Sequence, residues 1–235
     1  EKPLSKGVAN ALLSEGVKVV GPKKELAMLE TSKAFTRDLL DEYKIPGAPV
    51  YSRFKNLRGV SDLLKKLGEN YVVKDDGLAG GKGVKVSGEH LYSHREAIDY
   101  CRFLIEQKKE FIIEEKFKGE EFSLMSFCDG TTLKHMPAIQ DHKRAYDGDL
   151  GPNTGGMGTY SDCNHSLPFL NKEDLQEAKN INEATSIAIK NKCGEGFKGV
   201  LYGGFMATES GVKLIEYNAR FGDPEAMNVL SLLKS

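Results

Sequence analysis

The run QDHKRAYDGDLGPNTGGMGTY, residues 140–160, decides how the chain is read. It mixes acidic, basic and glycine residues and offers little that suits burial, yet apolar runs that read as strands flank it on both sides. Long connections without secondary structure are uncommon inside compact domains unless they bind something. Pro152 fixes one φ, Asn153 and Thr154 can close side-chain turns, and Gly155 and Gly156 open backbone angles that other residues avoid. Successive amides in such a turn form a concave anion site. The run is therefore expected to be an ordered phosphate-binding loop.

Outward from this loop the pattern is strands in hairpins with helices around them. Residues 122–127 read as a strand, Asp129-Gly130 as a turn, and 131–139 as the returning strand. On the other side, 172–190 read as a long helix, and 200–207 with 212–218 as a second hairpin. Residues 49–117 carry their own elements: a short strand at 50–51, a helix over 57–67, strands at 71–74 and 84–86, a helix over 94–107 and a strand at 111–115. Before them, 23–43 read as helical with a break at Thr31-Ser32, and 4–14 as a helix followed by a short strand at 17–20. Antiparallel hairpins with packed helices predict an α+β fold. The expected division is 1–22 as the tail of a preceding domain, 23–48 as a helical connection, 49–117 as a small lobe and 118–235 as a large lobe. A helix and strand alone cannot bury their apolar faces, and the chain stops inside a helical pattern, so flanking N- and C-terminal domains are expected in a longer parent.

With 235 residues and 40% hydrophobic content the chain can build a sizeable core. Its net charge of −1 gives no basic field, so neither nucleic acid nor an anionic membrane is an expected partner. Cys101, Cys128, Cys163 and Cys193 form no CxxC pair, which suits neither a zinc site nor a dense disulfide framework. No apolar run approaches membrane-spanning length. A reducing, cytoplasmic setting is expected.

Three features carry chemistry. DGLAGGKG, residues 76–83, fails the P-loop pattern, because three residues rather than four precede its Gly-Lys pair and a strand rather than a helix follows. Between two strands it reads instead as a glycine flap able to close over phosphates. Lys74 shares a strand face with Val72 and ends it in a charge, which is costly unless an anion meets it. In VKLIEYNARFGDPE, residues 212–225, Glu216 and Asn218 point to one strand face and Tyr217 to the other. Two oxygen ligands so placed suit Mg²⁺ that also takes substrate phosphate oxygens, and Arg220 adds a forked donor. His90 and His94 have metal-pair spacing but sit in a solvated helix start, and His135 reads as structural.

In their order and spacing, TSKAFTRDLL, YVVKDDGLAGGKGV, QDHKRAYDGDLGPNTGGMG and IEYNARFGDPE resemble the ATP-grasp superfamily and, within it, the phosphoribosylamine–glycine ligase family. The resemblance covers nearly the whole chain. It implies an ATP-grasp fold of two lobes with nucleotide between them, ATP and Mg²⁺ (or Mn²⁺) as cofactors, and glycine and 5-phosphoribosylamine as substrates. The implied product is glycinamide ribonucleotide, formed through a glycyl phosphate in de novo purine synthesis. By position it implies Lys33, Lys74, Gly80, Gly81, Lys82 and Gly83 at the ATP phosphates, Glu114, Glu115, Lys116 and Phe117 at adenine, and Glu121 at ribose. It further implies Glu216 and Asn218 at the metal, and Arg220, Lys74 and Asp141 in catalysis. Asp141, His142, Lys143, Asn153, Thr154, Gly155, Gly156, Met157, Gly158 and Asp223 would take the second substrate. Asp75 and Gly80 depart from the Ala expected of the family, and strand parity aims Asp75 away from Lys74. Another ATP-grasp ligase of purine metabolism and a non-catalytic nucleotide-binding module stand as alternatives.

Overall fold

The structure, a computed structural model, describes residues 1–79, 83–148 and 150–233, with Asn153 described through its backbone alone. Two short helices, α1 (Lys2–Ser5) and α2 (Val8–Ser14), open the chain where one was expected, divided at Gly7 with its φ of 81°. The expected strand at 17–20 is not formed. Those residues join no ladder, and Val20 is 89% exposed; an extended segment without a neighbouring strand leaves its backbone groups to water. Helices α3 (Met28–Thr31) and α4 (Lys33–Glu42) follow, divided at Ser32 as the sequence predicts. The Ser32 hydroxyl caps α4 by accepting from the Phe35 amide at 3.0 Å.

The first sheet holds β1 (Tyr51–Phe54), β2 (Tyr71–Asp75), β3 (Val84–Val86) and β4 (Phe111–Glu115) in the order β1-β4-β2-β3, antiparallel throughout. Helices α5 (Val60–Leu67) and α6 (His94–Glu106) cover one face. There Phe54, Tyr71, Val73, Phe111 and Ile113 pack with Leu64, Ala97 and Leu104. Alternation then turns Val72, Lys74, Ile112 and Glu114 to the opposite face.

The second sheet holds β5 (Glu120–Asp129), β6 (Leu133–His135), β11 (Lys198–Thr208) and β12 (Gly211–Asn218) in the order β12-β11-β5-β6, again antiparallel. Its return strand is shorter than expected. Pro137 has no amide to donate, and beyond β6 the contact with β5 continues through the Met136 amide, which donates to the Met125 carbonyl at 2.9 Å, and a bridge from Ser123 to Ile139. Phe122, Leu124, Leu201, Phe205, Leu214 and Tyr217 bury against the long helix α7 (Lys172–Cys193) and against Leu39 and Leu40 of α4. Between β6 and α7 the glycine-rich run is folded into two small ladders, β7 (Gln140–Asp141) with β10 (Thr159–Tyr160) and β8 (Arg144–Tyr146) with β9 (Leu150–Asn153). Helix α8 (Glu225–Leu230) follows β12. Among the described residues no helix is long and apolar enough to cross a membrane.

Strand β12 lies at a sheet edge, where unpaired backbone groups must find partners elsewhere. The Val212 amide donates to Glu177 at 2.9 Å, the Leu214 amide to the Gly47 carbonyl at 2.9 Å, and the Ala219 amide to Glu30 at 3.1 Å. The strand also carries a bulge. Pairing with β11 steps from Phe205↔Leu214 to Gly204↔Glu216, so Ile215 is an extra residue. Before the bulge Val212 and Leu214 face the core; after it Tyr217 does, while Glu216 and Asn218 face the other way and stay half-buried. One inserted residue exchanges the faces of everything beyond it, and here it keeps the carboxylate out of the core.

Gly47 holds a φ of 84°, and a Cβ there would lie 2.9 Å from Ile181 Cδ1 and 3.0 Å from the Val212 carbonyl. Gly47→Ala is expected to lower stability by more than about 1 kcal/mol, read as a drop in the urea midpoint with unchanged slope. An unchanged midpoint would contradict the role given to Gly47 in covering the β12 edge.

Candidate functional site

The face of the first sheet opposite its helices meets the β12 edge of the second sheet at a buried ionic cluster. On β2 and β4, Lys74 and Glu114 are diagonal neighbours, with Lys74 opposite Ile112 and Glu114 opposite Val72. Lys74 Nζ lies 2.5 Å from Glu114 Oε1. Arg37, one helical turn beyond Lys33 on α4, grips the same carboxylate with Nε at 2.8 Å and Nη2 at 3.1 Å. All three residues are at most 4% exposed. Burial opposes ionisation of Glu114, but Arg37 and Lys74 overcome it and hold its pKa at about 2. Both cations also reach the second sheet: Arg37 Nη2 donates to the Ile215 carbonyl at 2.6 Å and Lys74 Nζ at 3.3 Å. That carbonyl belongs to the bulge residue, so the irregularity in β12 supplies the acceptor that joins the sheets.

Around this cluster stand the other expected residues. Lys33, the first residue of α4, donates from Nζ to the Gly77 carbonyl at 2.9 Å, which ties it to the start of the glycine flap. Burial lowers its pKa, with the Glu216 charge opposing that and the Lys74 charge adding to it. Asp76 fixes the same corner by accepting from Ser32 Oγ at 3.1 Å and the Ala34 amide at 3.1 Å. Asp75 points away from Lys74, as parity predicts, and pairs with Lys109 at 2.5 Å on the helix-covered side. Gly83 closes the flap by accepting from the Asp75 amide at 2.8 Å. Gly80, Gly81 and Lys82 lie outside the described residues.

The placement of Glu114 corrects one expectation. The resemblance puts it beside adenine, but its carboxylate is enclosed by Arg37 and Lys74 and its backbone is paired with both Tyr51 and Val72. Glu115 ends the strand, paired with Tyr71, and Lys116 and Phe117 continue past it at the sheet end, where Lys116 Nζ donates to the Ser87 carbonyl at 2.9 Å.

Glu216 and Asn218 share the face of β12 that the bulge turns from the core. Among the described residues no hydrogen bond or ion pair engages the Glu216 carboxylate. No group of three or more His, Cys, Asp or Glu that could hold a metal is found among them either. One carboxylate and one amide fit a cation that draws its remaining ligands from phosphate oxygens and water. Arg220 reaches back to Asn218 Oδ1 at 3.4 Å and is held by Glu30 at 3.2 Å and Glu1 at 2.6 Å. Burial raises the pKa of Glu30, against the amide of Ala219 and the charge of Arg220.

The central run is ordered by its own contacts. Thr154 donates to the Lys143 carbonyl through its amide at 2.7 Å and its hydroxyl at 2.9 Å, and the hydroxyl accepts from the Gly156 amide at 3.0 Å. The Met157 amide donates to the His142 carbonyl at 2.7 Å. These three amides are therefore turned inward, so the expected cradle of successive free amides does not include them. His142 stacks on Tyr160 with ring centroids 5.6 Å apart. Lys143 pairs with Glu121 at 2.6 Å, which joins the run to the residue expected at ribose. Burial works against the Lys143 charge, and Glu121 raises its pKa over that opposition. Gly156 leaves no room for a side chain, since a Cβ would lie 2.8 Å from Pro224 and 3.2 Å from Asp141 Oδ1. Asp223 thus sits next to the residue that closes over the loop. Burial and the Glu225 charge push the Asp141 pKa up to about 6, and its Oδ1 is buried without a hydrogen bond among the described residues. Glu225 is itself buried and accepts from Tyr202.

Arg37, Asp76, Glu30, Tyr202 and Glu225 are not singled out by sequence reasoning. Arg37 had a usable signal, since it lies four residues after Lys33 on the helix face that also carries Leu40. Glu225 had a weaker one in its place at the end of the GDPE run. His135 is structural as expected, bridging Ser126 and Glu183. Of the other two only His94 belongs to α6: half-buried, its Nε2 contacts the Gly68 carbonyl at 2.8 Å, while exposed His90 lies in the turn before the helix and its Nδ1 accepts from the Val86 amide at 3.3 Å.

Comparison with known proteins bears on the family and the fold. The family model described as phosphoribosylglycinamide synthetase, ATP-grasp (A) domain, matches residues 31–226. A relative in Methanosarcina barkeri named phosphoribosylamine–glycine ligase is 52% identical over the whole chain, which corresponds to 54% of that relative. One in Thermococcus kodakarensis with the same name is 49% identical, again over the whole chain and 54% of its own length. The chain thus spans about half the length of the curated relatives it matches. A crystal structure of phosphoribosylamine–glycine ligase from Thermotoga maritima superposes with a TM-score of 0.82 at 31% identity, over 95% of this chain and 56% of that one. D-alanine–D-alanine ligase from Bacillus anthracis, solved with ATP, shares the fold at a TM-score of 0.66 and 22% identity, over 93% of this chain and 65% of its own. With its two antiparallel sheets joined at Ile215 and its family match over residues 31–226, the chain belongs to the phosphoribosylglycinamide synthetase ATP-grasp domain family.

Proposed function

We propose that this chain is the nucleotide-binding part of a cytoplasmic phosphoribosylamine–glycine ligase, which joins glycine to 5-phosphoribosylamine with cleavage of ATP to ADP and phosphate. The observation that carries the reading is that Lys74 reaches the Ile215 carbonyl at 3.3 Å, next to Glu216 on the strand whose bulge turns Glu216 and Asn218 to one face. The division into residues 49–117 and 118–235 as the two lobes of the grasp belongs to the same proposal, as do flanking domains in a longer protein that complete the substrate site.

In this reading Lys33 and Lys74 hold the triphosphate, with Gly80, Gly81, Lys82 and Gly83 closing over it. Residues 115–117 receive adenine, and Glu121 the ribose hydroxyls. Glu216 and Asn218 would hold Mg²⁺ (or Mn²⁺), which when bound neutralises phosphate charge. The glycine carboxylate attacks the γ-phosphorus and ADP leaves, giving glycyl phosphate. The amine of phosphoribosylamine, held by the loop from Asp141 to Lys143 and 153–158 with Asp223, attacks the carbonyl carbon, and phosphate leaves. Arg220 stabilises the departing phosphate. Asp141 accepts the proton that the amine sheds, a task suited to a carboxylate titrating near neutrality. Catalysis of the first step is positioning and charge neutralisation rather than covalent chemistry.

ADP release by the complete gene product is expected to require both glycine and phosphoribosylamine and to fall by about 10²-fold or more in Glu216→Ala. Release that proceeds with a different acid or amine would remove the substrate assignment. The pH dependence has a definite sign. Deprotonated Asp141 is the base, so kcat/KM should rise through about pH 6. Glu225→Gln removes a like charge and should move that midpoint down. A midpoint unmoved by Glu225→Gln and Asp141→Asn would assign it to another group. The same group acts on stability: its folded pKa lies above that of a free aspartate, so its contribution favours folding at low pH and is lost as pH rises through about 6.

A further inference from the structure

We propose that Arg37 is a positioning residue for nucleotide binding: by neutralising Glu114 it frees the charge of Lys74 for the triphosphate. The inference rests on the ATP-binding reading above.

The count of charge in the cluster carries it. Glu114 has one negative charge and two cationic partners, Lys74 at 2.5 Å and Arg37 at 2.8 and 3.1 Å. Exposure of at most 4% keeps water from screening any of them. With Arg37 present the cluster carries a net charge of +1 toward the cleft. Without it, Lys74 and Glu114 form a closed neutral pair, and a lysine already committed to a carboxylate has little attraction left for phosphate. The Arg37 side chain takes both carboxylate oxygens in its fork, which leaves Lys74 a single oxygen and the Ile215 carbonyl at 3.3 Å. A lysine at position 37 would match neither the bidentate contact nor the 2.6 Å bond to Ile215.

A buried ion pair kept only for stability should have all its donors matched, because unmatched ones add desolvation cost without return. Arg37 Nη1 is buried without a hydrogen bond among the described residues. Its grip thus carries a desolvation cost that stability alone does not explain, while the positive charge it leaves on Lys74 reaches the Ile215 carbonyl, next in sequence to Glu216, where the triphosphate is assigned.

A purely structural role and a charge-balancing role differ in sign. Both Arg37→Gln and Glu114→Gln break the pair, so a structural role makes both weaken ATP binding. Charge balance makes them opposite. The test is the Kd of Mg-ATP, and of adenosine as the uncharged control, measured calorimetrically on the complete gene product with circular dichroism confirming the fold. Arg37→Gln should weaken Mg-ATP by about 10- to 100-fold and leave adenosine within about threefold. Glu114→Gln should bind Mg-ATP at least as tightly as wild type, and the double variant Arg37→Gln/Glu114→Gln should return to within about threefold of wild type, because Lys74 then stands alone with its charge. Should Arg37→Gln not fold, Glu114→Gln and the double variant still decide. Equal affinity of Arg37→Gln and wild type, or a Glu114→Gln or double variant weakened tenfold or more, overturns the inference while leaving the ligase reading intact. A wild-type protein that binds no Mg-ATP overturns the ligase reading and this inference with it.

Discussion

Three charged side chains enclosed together, Arg37, Glu114 and Lys74, set the relation between the two sheets. A carboxylate at 3% exposure is tolerable only with cations beside it, and each of the two cations comes from a different element, α4 and β2. Both then reach the same carbonyl on β12. Displacing Glu114 would leave two unpaired cations in a dry place, and displacing either cation would remove one tie to the Ile215 carbonyl, so the cluster holds helix, first sheet and second sheet in one geometry. In the proposed reading the groups that meet the triphosphate and its metal are two lysines, a carboxylate without a partner among the described residues and an amide.

The second constraint is the treatment of β12. As an edge strand it must have its outward groups covered, and it is covered by Glu177, Gly47, Arg37, Lys74 and Glu30, each from a different part of the chain. The bulge at Ile215 serves both ends. It releases a carbonyl for the cationic pair, and it changes which face Glu216 and Asn218 occupy. Fold and site are therefore not separable along this strand, because the same extra residue satisfies the sheet edge and aims the expected metal ligands.

Much of this was legible in the residues. The break at Ser32, the strands on either side of the glycine flap, the two hairpins and the α7 helix all follow from apolar spacing and turn residues, which are local signals. The strand face of Lys74 and the opposite aim of Asp75 follow from parity alone. The shared face of Glu216 and Asn218 was also readable, but its reason was not: regular alternation from Val212 and Leu214 would send Glu216 inward, and only pairing with β11 reveals the bulge. The strand at 17–20 failed because β propensity does not supply a partner. The pairing of Arg37 with Glu114 went unread because 77 residues separate them, and a pairing at that range leaves no local pattern. For the central run, polarity marked a binding loop, yet its inward-turned amides depend on contacts with Lys143 and His142 that spacing does not express.

The most direct measurement is a crystal structure of the protein with Mg²⁺ and a non-hydrolysable ATP analogue. The β- and γ-phosphates should lie within hydrogen-bond distance of Lys33 and Lys74, with the metal on Glu216 and Asn218 and the Arg37–Glu114 pair intact behind Lys74. A nucleotide seated away from the face formed by Lys74, Glu216 and Asn218, or a metal that leaves Glu216 unbound, would contradict it.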